Sequence, residues 1–298
     1  MLRILSFLVL LGGPVVAQVP RVVTDIAPIH ALVSQIMLGV GEPQLIVRAG
    51  SSPHHHAMRP SEARMLAQAD VVIWVGSGLT PWLEGPIASL ATEAKVVRLL
   101  ELAGANLLPF RDGALFDPHD QDVHGTGPVD PHLWLDPDNG LLFLNEISDL
   151  LSKLDPENAA AYAQNAALGR AEIGTAVREI DAQLAPLKDL PFIVLHDGFH
   201  YFEDHFGIEA MGAISASDAQ TPGAARIKTL RAALQSSAVQ CAFTEPGVGT
   251  RLLDTATQGI EIKVATLDPL GTEFALGSQL YVQMLRAMGR NIAGCLSR

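Results

Sequence analysis

The sequence predicts an α/β protein of two lobes, each with a mostly parallel sheet flanked by helices, joined by a long rigid helix. Three observations carry this. Short apolar runs alternate with helical stretches in the first half of the chain and again in the second, the pattern of βαβ units and parallel strands. One helical stretch between the two halves is much longer than the rest. The length of 298 residues suits two domains of roughly 150 residues each.

In the first half, Arg21–Thr24 reads as a strand, 29–38 as an amphipathic helix, and Gln44–Arg48 as a second strand followed by a loop to Pro60. Ser61–Ala69 reads as a helix that Ser61 caps. Val71–Val75 is a continuous apolar run, as in a strand buried on both faces, and 96–100 is another. Residues 103–130 break the alternation with Gly, Pro, Asp and His. Leu141–Leu154 is helical, and Asp155-Pro156-Glu157 is a helix-start signal with Pro in the first turn. No proline interrupts the chain from there to Leu184, so a helix of about 30 residues, some 45 Å long, is expected. After it, 192–195, 208–214, 240–244 and 262–266 read as strands, with helices at 197–205 and after Pro222, Val248 and Thr272. The resulting division is a leader at 1–17, an N-terminal α/β lobe at 18–138 with a His/Asp loop at 112–128, a helical region with the linking helix at 139–188, and a C-terminal α/β lobe at 189–298.

Composition narrows the function. The 20 Lys+Arg against 32 Asp+Glu give a formal charge of −12, which argues against the basic stripe that nucleic-acid binding needs. Aromatic residues are 5% of the chain, which suits helix-on-sheet packing better than a β-sandwich. Residues 1–17 have the grammar of a cleavable secretory signal: Arg3, an apolar run at 4–11, a Gly-Gly-Pro break, and Val15-Val16-Ala17 before the cut. No cysteine near the cut offers a lipid anchor, and no later run is long enough to span a membrane. An exported protein with two cysteines, Cys241 and Cys295, is expected to join them in one disulfide.

Ten histidines against two cysteines point to imidazole chemistry. In open α/β sheets ligands bind beyond the carboxyl ends of strands. His54, His196, Glu245 and Asp268 each follow a strand, and His132 sits in a turn just before the helical half. Three imidazoles with a carboxylate or water make a Zn²⁺ site, whereas Mn²⁺ prefers more oxygen. On spacing alone, satisfied structural histidines compete with that reading.

Several ordered motifs add a resemblance. Gly50-Ser51-Ser52-Pro53-His54 with Met58-Arg59-Pro60-Ser61, then Asp130-Pro131-His132-Leu133-Trp134-Leu135-Asp136-Pro137, then Leu195-His196-Asp197 with Tyr201-Phe202 resemble the ligand motifs of the periplasmic zinc-binding proteins of ABC importers, the ZnuA type. Gln220-Thr221-Pro222-Gly223-Ala224, Phe243-Thr244-Glu245-Pro246 and Thr266-Leu267-Asp268-Pro269-Leu270-Gly271 follow in the same order. The resemblance covers essentially the whole chain after the leader. It implies that His54, His132 and His196 are metal ligands, and that Asp268 or water is the fourth. It places a disulfide at Cys241–Cys295 and leaves Glu245 lining the cleft between the lobes. Manganese-type relatives carry glutamate where His196 stands, so histidine there favours zinc. Pro53 departs from the acidic residue that precedes the first ligand in some zinc members.

The implied function is high-affinity Zn²⁺ capture in the periplasm by a monomer, not an enzyme, with delivery to an inner-membrane ABC permease and its cytoplasmic ATPase. Mn²⁺ or Fe²⁺ import, a zinc hydrolase and an adhesin are the competing readings. A hydrolase lacks the His-Glu-x-x-His helix here. His119 and His124 are candidates for metal capture in the short His/Asp loop. His55 and His56 are expected to be exposed loop residues, and His30 and His205 structural or surface groups.

Overall fold

The computed structural model describes residues 18–111, 113–116, 128–216, 222–248 and 250–297. The leader, His119, His124 and the Gln220-Thr221 pair lie outside these residues. Two four-stranded parallel sheets form the two lobes, in the orders β2-β1-β3-β4 and β6-β5-β7-β8. The first contains β1 (Val22–Thr24), β2 (Gln44–Leu45), β3 (Val71–Trp74) and β4 (Lys95–Arg98), and the second β5 (Phe192–His196), β6 (Ala210–Ser215), β7 (Cys241–Thr244) and β8 (Lys263–Thr266). In each sheet the second strand in chain order takes an edge, and the third continues past the first on its other side. The centre of each sheet therefore lies beside its first strand, where a doubly wound sheet opens a crevice at its carboxyl end.

Burial explains the strand composition. Every residue of β1, β3, β5 and β7 is buried, which is why their sequences are near-continuous apolar runs rather than alternating ones. In β5 the alternation persists as a choice between two cores. Phe192 and Val194 face the large core that runs through both lobes, while Ile193 and Leu195 face a smaller one with Leu230, Leu234 and Leu253. His196 has the parity of Phe192 and Val194 and ends the strand on their side.

Helix α1 (Ala27–Ile36) covers the first sheet, and α4 (Pro137–Leu154), α5 (Ala159–Leu184) and α9 (Leu280–Leu296) pack with it between the sheets. The linking helix α5 is 26 residues, preceded by a 3₁₀ turn at Pro156–Asn158 and followed by another at Ala185–Leu187. It buries Tyr162, Ala166, Gly169, Ile173, Ala176, Ile180 and Leu184, a single stripe at spacings of three and four. Gly169 is needed for this approach, since a Cβ there would stand 2.8 Å from Cγ of Gln35 and 3.0 Å from Leu144. Among the described residues no helix is long and apolar enough to cross a membrane.

Some elements differ from the sequence reading. Helix α2 is Pro60–Ala67, so Pro60 is its first residue and Arg59 its N-cap in place of Ser61. Strand β2 stops at Leu45 and β4 at Arg98, where a 3₁₀ turn at Leu99–Glu101 takes over. Helix α6 begins at His200, not Asp197, and runs to Phe206, ended by Gly207 at φ +63°. Cys241 on β7 and Cys295 in the last turn of α9 form the expected disulfide, with Cα atoms 6.0 Å apart across a separation of 54 residues. Lys263 on β8 donates to the carbonyls of Cys295 and Ser297, closing the same helix end.

Candidate metal centre

The three histidines named from sequence come together. The His54 and His132 ring centroids are 5.7 Å apart, and those of His132 and His196 are 5.3 Å apart. Three imidazoles bound tetrahedrally to one Zn²⁺ at about 2.0–2.1 Å would hold their centroids about 5 Å apart. His132 stands between the other two rings, about 0.3 Å beyond that spacing from His196 and about 0.7 Å beyond it from His54.

Each ring arrives by a different route. His54 stands in the loop between β2 and α2. His132 opens the 3₁₀ turn Leu133–Leu135, which is tied to the second lobe: the Trp134 indole N–H donates to the Pro269 carbonyl at 2.8 Å, and the Tyr281 hydroxyl donates to the Trp134 carbonyl at 2.8 Å. His196 ends β5. Register explains its partner. Val194 pairs with Phe243 in the parallel β5–β7 ladder, so two residues further along both strands Glu245 comes beside His196.

Two carboxylates orient two of the rings. Asp130 Oδ1 accepts the His132 Nδ1–H at 2.6 Å and the His132 backbone N–H at 3.0 Å. Glu245 Oε1 accepts the Nδ1–H of His196 in a short hydrogen bond. In both cases the Nδ1 proton is fixed, so Nε2 is the nitrogen left to face a metal, as in carboxylate–histidine–zinc sites. Asp130 and Glu245 are themselves buried. Burial raises the Asp130 carboxyl, but the His132 ring and amide outweigh it and hold the group below the usual carboxylate range. Sequence reasoning left Glu245 lining the cleft and did not single out Asp130. The strand register and the Asp-Pro-His turn are the signals that identify these roles.

Asp268 is turned to its own loop. Its Oδ1 accepts the Leu270 N–H at 3.0 Å, and its Oδ2 accepts the Thr272 N–H at 2.5 Å and hydroxyl at 2.8 Å. His55 is exposed as expected, but His56 is not: its side chain is 7% exposed and paired with a buried Glu62. The apolar wall of Trp82 explains the difference, because the His56 ring lies 5.0 Å from that indole. Burial raises the Glu62 carboxyl, yet the Arg59 amide and His56 together hold it below the ordinary range.

Behind His196, Arg111 reaches across from the first lobe. Its guanidinium is paired with Asp197 and Glu203 and lies 3.8 Å over the Phe116 ring. Burial pushes the Asp197 carboxyl up in spite of Arg111. Nearby, the Tyr201 hydroxyl donates to the Asp130 carbonyl at 2.8 Å and accepts the Leu108 N–H at 2.9 Å. These contacts lock α6 to the segments that hold His132.

Among the described residues, the group whose ligand atoms all lie at ligand-like spacing is a different one. Asp136, Asp138 and His205 offer atoms within 4.8 Å of one another. Asp136 Oδ1 already caps α4 through the Asp138 N–H at 2.8 Å and accepts His205 Nδ1 at 3.0 Å, while Oδ2 accepts the Asn106 amide. Burial lowers the His205 pKa, but the Asp136 hydrogen bond and nearby carboxylates outweigh it and raise the group. The cluster is a hydrogen-bonded link joining the start of α4 to α6.

Comparison with known proteins agrees with this architecture. The chain is 39% identical to the high-affinity zinc uptake system protein ZnuA of Paracoccus denitrificans, over 95% of this chain and 94% of that protein. It is 36% identical to the protein of the same description from Brucella suis, over 96% and 95% respectively. A crystal structure of ZnuA superposes with a TM-score of 0.78 at 22% identity, covering 94% of this chain and 100% of that one, a likeness of fold. The family profile described as "Zinc-uptake complex component A periplasmic" matches residues 22–295, and the chain belongs to that ZnuA family.

Proposed function

We propose that His54, His132 and His196 bind Zn²⁺ through Nε2, with Asp130 and Glu245 orienting two of the rings. The protein then acts in the periplasm, after removal of residues 1–17, as the capture component of an ABC importer. It delivers zinc to a membrane permease driven by a cytoplasmic ATPase. The observation that supports this reading is the position of His132, its ring 5.7 Å from that of His54 and 5.3 Å from that of His196, near the spacing of imidazoles that share one ion.

The chemistry of the donors supports zinc over manganese. Mn²⁺ prefers oxygen donors, and the three groups that converge here are nitrogen donors. The fourth position falls to Asp268, whose Oδ1 accepts a single hydrogen bond, from the Leu270 N–H, or to water. The family role is in transport, and no catalytic step is assigned to the site.

Competition titration of metal-stripped protein with Zn²⁺ and Mn²⁺ tests the proposal. His54→Ala, His132→Ala and His196→Ala should each lose tight zinc binding. Retention of wild-type affinity in any one removes that residue from the site. Asp268→Ala decides the fourth position: a loss above about tenfold assigns the carboxylate, and an unchanged affinity assigns water.

A further inference from the structure

The loop that carries His54 has few backbone hydrogen bonds of its own, yet side chains hold it on both sides of the ligand. Before His54, the Trp82 indole N–H donates to the Pro53 carbonyl at 2.7 Å. After it, the His56 ring lies against the same indole, and its Nε2–H donates to Glu62 Oε2 at 2.8 Å. That oxygen also accepts the Arg59 N–H at 2.7 Å, which anchors Glu62 at the start of α2. The Glu62 side chain is 1% exposed and that of His56 is 7% exposed. An isolated carboxylate at this depth would be costly, so the His56 and Arg59 bonds fix where Glu62 can sit and therefore where the loop can run.

We propose that His56, held by Glu62 and tilted against Trp82, is a positioning residue that preorganises His54 and sets how long zinc stays bound. This rests on the reading of His54 as a zinc ligand. His56 does not touch the metal in this scheme. It keeps one of three ligands in place, so that its loss acts on the departure of zinc more than on its arrival. A ligand loop that is already ordered loses little conformational freedom on binding, whereas a freed loop must be ordered each time.

The test measures zinc release into a fluorescent chelator in excess, on the full mature chain. His56→Phe keeps a ring on Trp82 but removes the donor to Glu62. It should release zinc about tenfold faster, the size expected for one charge-assisted hydrogen bond. His56→Gln restores a donor and should recover most of the wild-type rate, and its zinc-free form should melt nearer the wild type than that of His56→Phe, which leaves the buried Glu62 without this partner. Trp82→Phe removes the Pro53 clamp and should accelerate release as well, which keeps the test decisive if His56→Phe folds poorly. Release at the wild-type rate from His56→Phe, or equal rates for His56→Phe and His56→Gln, overturns the proposal. So does wild-type release from Trp82→Phe. His54→Ala separates the two levels: if that variant keeps tight zinc binding, the zinc-site reading itself fails. If it loses zinc while the His56 and Trp82 variants behave as wild type, only the positioning role fails.

Discussion

Replacing Glu245 isolates the contribution of an orienting carboxylate. It is buried at the end of β7 and accepts the Nδ1–H of His196, so it fixes both the tautomer and the direction of that ring. In Glu245→Ala the ring can rotate about its side-chain bonds, and either nitrogen can carry the proton. Loss of such a partner typically weakens metal binding 10–100-fold, or about 1.4–2.7 kcal/mol. Glu245→Gln keeps an amide oxygen able to accept the same proton but removes the charge. It should fall in between, with affinity about tenfold below the wild type. Competition with a zinc chelator of matched affinity, at neutral pH and fixed ionic strength, reads these differences. The reasoning is refuted if Glu245→Ala binds zinc within about twofold of the wild type, or if Glu245→Gln is weaker than Glu245→Ala.

Two further predictions concern stability. Arg111→Met leaves Asp197 and Glu203 buried without their cation, and should destabilise the zinc-free protein by about 3–5 kcal/mol in urea unfolding, less in acid where the carboxylates take up protons. A change below about 1 kcal/mol would show that neither lobe depends on that cluster. Asp25 is fully buried between the Ile26 and Val75 amides, and burial pushes its carboxyl up to about 7. Its folded pKa lies above its ordinary value, so the stability linked to its proton is present in full near pH 4 and is lost as the pH rises through about 7. The difference in unfolding free energy between wild type and Asp25→Asn should therefore shift by a few kcal/mol between pH 4.5 and 8, roughly 4 at most. Parallel stability curves would contradict it.

The fold was legible because its central parallel strands are buried on both faces, and continuous apolar runs such as Val71–Trp74 announce themselves. Element ends were less legible where side chains compete for them. Ser61 looks like a cap, but Pro60 has its φ fixed for a first helical turn and Glu62 reaches back to the Arg59 amide, which moves the start of α2 forward. The candidate ligands came from histidines placed after strands and from ordered motifs, and the fold sets His132 beside both His54 and His196. The carboxylates behind the rings were harder to read. Glu245 becomes a partner of His196 through a strand register that only pairing settles, and Asp130 through a two-residue turn. His56 was misjudged because its environment is made by Trp82 and Glu62, from separate elements. No local pattern in the His-His-His run distinguishes the buried member from the exposed one.

The two Nδ1 hydrogen bonds also bear on the charge balance of the centre. With neutral rings and water as the fourth ligand, Asp130 and Glu245 would bring two negative charges to a buried place, and a bound Zn²⁺ would cancel them. A monovalent cation would leave one charge uncompensated, and a trivalent one would overshoot. Removal of the dication would leave two buried anions without a counter-charge, and exchange of one zinc for two protons would keep the site electroneutral.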